Sequence, residues 1–126
     1  MHDPALVLVV DDAPNVRELI RVNLTLEGFD VHVAVDGEQA LELVGELDPD
    51  LITMDVVMPR IDGLTAASRL KADPRTSSIP IVMVTARAQT ADREKGHRAG
   101  VDAYLTKPFE PSELVATVRN LLDARR

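Results

Sequence analysis

Five short apolar runs divide the chain, and the segments between them carry their apolar residues at helical spacing. The runs are "ALVLVV" (5–10), "VHVAV" (31–35), "LITM" (51–54), "IPIVMVT" (79–85) and "AYLT" (103–106). The first, third and fourth are almost unbroken Val, Ile, Leu and Met, as expected for strands buried on both faces of a parallel sheet. "VHVAV" alternates more and carries His32, which places it at an edge. Between the runs, Val16, Leu19, Ile20 and Leu24 recur at helical spacing, as do Ala40, Leu41, Val44 and Leu47. Leu114, Val115, Val118, Leu121 and Leu122 form the clearest stripe. Five β–α units predict a (βα)5 doubly wound sheet with right-handed crossovers and helices on both faces. The expectation is one domain with its core over about residues 5–123, and no output domain after it.

Local signals mark the helix ends. Pro111 suits a first helical turn, with Glu113 beside the positive end of the helix dipole. "DGEQ" (36–39) reads as a turn into a helix, with Asp36 capping and Gln39 closing a box. "ADPRTSSIP" (72–80) is a loop by its Pro and Ser content. "TADREKGHRAG" (90–100) offers a core only Ala91, Ala99 and the stem of Lys95, and its Gly96 costs about 1 kcal/mol relative to Ala. That helix is expected to be weakly anchored, as suits an element that moves.

Composition narrows the function. With 126 residues the chain fits one compact domain, and a formal net charge of −7 sets it against a phosphate backbone. Direct nucleic-acid binding by this domain is therefore not expected. Aromatics at 2% argue against base stacking or a flavin sandwich. The absence of cysteine excludes disulfides, thiolate zinc sites and thiol catalysis. No apolar run approaches the roughly 20 residues that span a bilayer, and "ALVLVV" lacks the basic flank of a signal segment. A cytoplasmic protein without membrane contact is expected.

The chemistry gathers at the strand ends. In an open parallel sheet, ligands bind outside the carboxyl ends of the strands. Those ends read Asp11 and Asp12, then Asp36, Asp55, Thr85, and Thr106 with Lys107. In the flavodoxin-like order 2-1-3-4-5, strands one and three are neighbours at the switch point, so Asp11, Asp12 and Asp55 share a crevice. Asp36, on the edge strand, stays outside. Like charges about 4 Å apart repel by roughly 4 kcal/mol at an effective dielectric of 20. A proton, a lysine or a metal relieves that repulsion. Oxygen ligands with places left for water suit Mg²⁺. With Lys107 and Thr85 on the same edge, the set points to a phosphoryl group, and Asp55 would be its nucleophile. Taken singly, each residue has a plainer role: a helix cap for "DD", a strand end for Thr85, a solvated Lys107, and a turn or cap for Asp62.

The stretches "VLVVDDAP", "MDVVMPRIDG", "VMVTA" and "YLTKPF" strongly resemble the receiver domain of two-component response regulators, the CheY-like family. The resemblance implies that Asp55 accepts a phosphoryl group from a sensor histidine kinase or a histidine phosphotransfer protein. It implies Asp12 and Asp55 as direct Mg²⁺ ligands, Asp11 acting through water, and the Val57 carbonyl completing the protein's share. Lys107 would pair with the phosphoryl oxygens and Thr85 would hydrogen-bond one of them. The Lys107–Pro108 bond is implied to be cis, and Tyr104 falls at the switch-aromatic position, turning inward as Thr85 moves. The output face would be the fourth helix, fifth strand and fifth helix, acting on an effector protein or an output domain; dimerisation through it is compatible with the pattern. The resemblance further implies that Val57 and Arg87 tune loss of the phosphoryl group. Valine has no group to orient water, which predicts slow self-dephosphorylation.

Other readings fit less well. An aspartyl-phosphate phosphatase or phosphotransferase would want a second acid two positions after its nucleophile, where Val57 stands. No reaction on a separate substrate is expected. A nucleotide or flavin module needs a Gly-rich loop where "DDAPNV" lies. A receiver fragment of a longer regulator or hybrid kinase fits as well as a stand-alone one. His97 is expected to be solvent-exposed and idle, and His2 to lie on a frayed terminus.

Overall fold

The computed structural model describes residues 2–86 and 90–125. The elements alternate as β1 (Leu6–Val10), α1 (Pro14–Leu26), β2 (Asp30–Ala34), α2 (Gly37–Leu47), β3 (Leu51–Met54), α3 (Gly63–Ala72), β4 (Ile81–Thr85), α4 (Thr90–Ala99), β5 (Ala103–Thr106) and α5 (Pro111–Arg125). All strand pairs are parallel, in the order β2-β1-β3-β4-β5. This is the flavodoxin-like doubly wound architecture, and His32 does sit on the edge strand.

Because side chains alternate across a strand, each central strand feeds two apolar layers. Leu8, Val10, Ile52, Met54, Ile81 and Met83 face one layer, packed with Ala40 and Val44 of α2 and Ala66, Ala67 and Leu70 of α3. Val7, Val9, Leu51, Val82 and Val84 face the other, against Ile20 and Leu24 of α1 and Leu114, Val118 and Leu122 of α5. Continuous apolar runs were required because both faces are covered. Leu19 is the exception within its stripe, 46% exposed on the outer side of α1.

Three local expectations are corrected. Asp36 does cap α2, accepting from Gln39 N at 2.8 Å, but the Gln39 side chain accepts from Val35 N, one residue before the cap. His2 is not frayed: its backbone N–H donates to Asp50 and its ring Nε2 meets the carbonyls of Leu47 and Asp48 at 3.2 and 3.0 Å. In α4, Lys95 is exposed and Ala99 half-buried, while Gly96 is the buried position; the Ala91 side chain lies outside the described part. The feature read as a weakness of that helix is therefore its point of contact with the core.

Candidate functional site

Backbone hydrogen bonds bring the strand ends to one level. Asp55 N donates to Val10 O at 3.0 Å, Asp11 N to Ala34 O at 3.3 Å, and Lys107 N to Thr85 O at 2.8 Å. Rigid strands thus deliver Asp11, Asp55, Thr85 and Lys107 to a common edge. Asp11, Asp55 and Thr85 are buried, whereas Asp12 is exposed at the rim. Neither acid of the pair caps α1, whose N-cap is Ala13 without a side-chain hydrogen bond. Asp11 Oδ1 accepts from Ala13 N at 2.9 Å, which fixes the carboxylate and leaves Oδ2 turned to the crevice.

Lys107 bridges the acids. Its Nζ lies 3.0 Å from Asp11 Oδ2 and 3.4 Å from Asp55 Oδ2. Asp11, Asp12 and Asp55 each offer an oxygen, all within 4.8 Å of one another. Among the described residues, three carboxylates face one ammonium there. Burial pushes the Asp55 carboxyl above its usual range; the Lys107 charge opposes this and the Asp11 charge reinforces it. Hydrogen bonds from Lys107 and from the Val57 backbone N–H pull it down again. Three hard oxygen donors at this spacing, with room for water at the exposed Asp12, fit a small divalent cation such as Mg²⁺.

The loop after Asp55 is held from behind. Val56 and Met58 are buried while Val57 is 54% exposed. Gly63 N donates to Val56 O at 2.8 Å, and a Cβ at Gly63 would run into the Asp55 carbonyl, so only glycine lets the start of α3 approach this closely. Asp62 caps α3 through Thr65 N at 2.8 Å and takes no part in the acid cluster. The Lys107–Pro108 bond is cis. Thr85 stands at the end of β4, beside Thr106 in register, and Tyr104 is half-buried on β5. Asp36 stays outside the cluster, and His97 is exposed at the surface. Arg87 lies outside the described residues.

Sequence reasoning passed over Arg17, whose guanidinium donates to Asp11 O at 3.0 Å, and Gly63 as a backbone clamp. The "DG" pair carried the signal for Gly63; nothing local marked Arg17.

A parallel 2-1-3-4-5 sheet with an acid cluster and a lysine at its carboxyl edge defines a CheY-like receiver of two-component signalling. Residues 7–119 match the response regulator receiver domain, and the chain belongs to that family. It is 45% identical over 116 residues to the DNA-binding dual master transcriptional regulator RpaA of Synechocystis sp., covering 92% of this chain and 48% of that protein. It is 47% identical over 113 residues to the DNA-binding response regulator MtrA of Mycolicibacterium smegmatis, covering 90% and 48%. The chain thus spans about half the length of these relatives. A putative response regulator from Chloroflexus aurantiacus superposes with a TM-score of 0.91 at 39% identity, covering 94% of this chain and 98% of that one. Vibrio cholerae chemotaxis protein CheY4 superposes at 0.89 with 30% identity, covering 93% and 98%. Members of this family generally bind Mg²⁺ in an acidic pocket of this kind. Among the described residues, no helix is long and apolar enough to cross a membrane.

Proposed function

We propose that the protein is a phosphorylation-driven switch whose acceptor is Asp55. The observation that carries this reading is a buried carboxylate at the end of β3, with its pKa raised by burial and a lysine ammonium spanning it and Asp11. An Asp55 carboxylate oxygen attacks phosphorus as the P–N bond of a partner's phosphohistidine breaks, and the departing imidazole takes up a proton. In its ionised form the carboxylate needs no base. Lys107 is placed to follow the phosphoryl oxygens, and the Thr85 hydroxyl to bond one of them. Asp11, Asp12, Asp55 and the Val57 carbonyl would hold Mg²⁺, which when bound supplies charge neutralisation for the phosphoryl oxygens. The protein promotes only its own phosphorylation and slow dephosphorylation, with no separate substrate.

The donor class is a sensor histidine kinase or histidine phosphotransfer protein in the cytoplasm. Output would run through α4, β5 and α5, with Tyr104 as the switch aromatic, to an effector protein or an output domain. The two DNA-binding relatives of about twice the length favour the second, a receiver that works as part of a longer regulator.

The test is intact mass after incubation with acetyl phosphate and Mg²⁺. One phosphoryl mass should be gained, and lost with Asp55→Asn or chelator; a gain that survives Asp55→Asn would reject the assignment. The half-exposed Val57 offers no group to orient water, so the phosphorylated form should persist for well over seconds in Mg²⁺. Decay within seconds would contradict that role.

A further inference from the structure

Asp12 is the least held of the clustered acids. It is exposed, and among the described residues it makes no hydrogen bond through its carboxylate or its backbone. Asp11, by contrast, engages Ala13 N with Oδ1 and Lys107 with Oδ2, and Asp55 follows a buried strand and faces the same ammonium. Yet the Asp12 carboxylate offers an oxygen within 4.8 Å of one on each of the other two. The neighbouring main chain must hold it there. The bond from Ala13 N to Asp11 Oδ1 arches over Asp12, and Arg17 ties down both ends of the arch. Its backbone N–H donates to Ala13 O at 2.9 Å, and its guanidinium Nη1 donates to Asp11 O at 3.0 Å. The carbonyls just before and just after Asp12 are thereby fixed by one residue. The start of α1 leaves room for this. Its N-cap, Ala13, brings no capping side chain, and Pro14 has no N–H to satisfy. Asp12 is not drawn into a cap, and the half-buried Arg17 reaches back to the turn instead.

We propose that Arg17 is a positioning residue for the cation site: by holding the main chain on both sides of Asp12, it keeps an otherwise unbonded carboxylate in the cluster. Its contact is with a carbonyl, so it acts on the site through Asp12. Cation affinity rises when ligands are fixed beforehand, because less order remains to be imposed on binding. Charge works the other way. A guanidinium bonded to Asp11 repels a divalent ion held by the same residue. The two effects have opposite signs, so removing the side chain decides between them. Lost positioning weakens binding, whereas relief of repulsion tightens it. The consequence for the ion rests on the function proposed above; the tie across Asp12 does not.

In the metal-free protein, Arg17→Ala should lower the NMR order parameter of the Asp12 amide from about 0.85 to below about 0.6 and leave that of Asp55 unchanged. An unchanged Asp12 value would overturn the tie. Mn²⁺, which takes the same oxygen ligands as Mg²⁺, is then titrated by electron paramagnetic resonance, which counts the free ion. Arg17→Ala should bind it about ten-fold more weakly than the parent. Arg17→Lys should recover most of the loss in both measurements, because the Asp11 carbonyl needs only one donor. Equal or tighter binding by Arg17→Ala, or no recovery with lysine, would overturn the positioning role. Should Arg17→Ala not fold, Arg17→Met, which keeps the stem, takes its place, and failure of both would overturn a role confined to the site. If the parent takes up no Mn²⁺, the effect on the ion falls with the proposed function, while the order parameters still decide the tie.

Discussion

At the amino end of the sheet, buried Asp50 accepts Leu6 N at 2.8 Å and His2 N at 3.1 Å, and the Arg125 guanidinium lies 3.8 Å from its carboxylate. At the carboxyl end, buried Asp55 shares one lysine with Asp11 and has the Val57 N–H as its backbone donor. The two acids lie at opposite ends of β3, Asp50 before Leu51 and Asp55 after Met54. One is enclosed by donors that the fold itself supplies. Among the described residues, the other has one ammonium, which it shares with Asp11. A carboxylate with its needs met steadies a fold, whereas one held in deficit is ready to take up a cation or an electrophile. Burial alone does not separate the two roles; the donors among the described residues do.

The contrast can be broken from its stable side first. Asp50→Ala strands the buried Leu6 N–H and the His2 N–H, and removes the carboxylate that faces Arg125. Urea unfolding should register a loss of about 3 kcal/mol, with phosphoryl uptake on Asp55 retained. A loss below about 0.5 kcal/mol would mean that Asp50 is not the anchor described.

Asp55→Asn should act in the opposite sense. Burial raises this carboxyl in the folded state, so the folded protein binds the proton more tightly than the unfolded chain does. Stability linked to Asp55 is therefore fully present below the usual carboxylate range and is lost as pH rises toward the raised folded value. The substitution should raise neutral-pH stability by about 1 kcal/mol. Its advantage should shrink as pH falls through that window. Mg²⁺ should raise the melting temperature of the parent and of Asp50→Asn but not of Asp55→Asn. A shared Mg²⁺ response in all three would erase the distinction between the two ends.

A last effect, of similar size, comes from between them. Thr53, in the middle of β3, buries a hydroxyl with no hydrogen-bond partner among the described residues, beside Val9 and Val82 in register. Thr53→Val should stabilise by about 1 kcal/mol without altering phosphoryl uptake. Destabilisation on thermal melting would point to a partner for that oxygen.

These two ends were not equally legible in the chain. Asp11, Asp55 and Lys107 directly follow apolar runs, Asp12 comes one residue later and Thr85 ends a run, so strand geometry alone lines them up. Asp50 sits in "LDPD", which reads as a turn, and its donors come from residues 44 and 75 positions away. No local pattern encodes such distant partners. Helical spacing marked Leu19 as core because period alone cannot tell which side of a half-covered helix a neighbour reaches. Gly96 was read through helix propensity, a local measure, while its burial reflects the Tyr104 ring approaching from another element. Periodicity and strand ends are local and were readable; mutual approach across the fold was not.

Asp50 has one more consequence, for protein engineering. The second residue and Arg125 both reach it, one through its backbone and the other through a guanidinium that donates to Asp50 O at 2.7 Å. The first and last turns therefore meet at the sheet edge opposite the acid pocket. A short bridge would close the chain into a ring there, leaving the α3–β4 turn as a natural place to open it again.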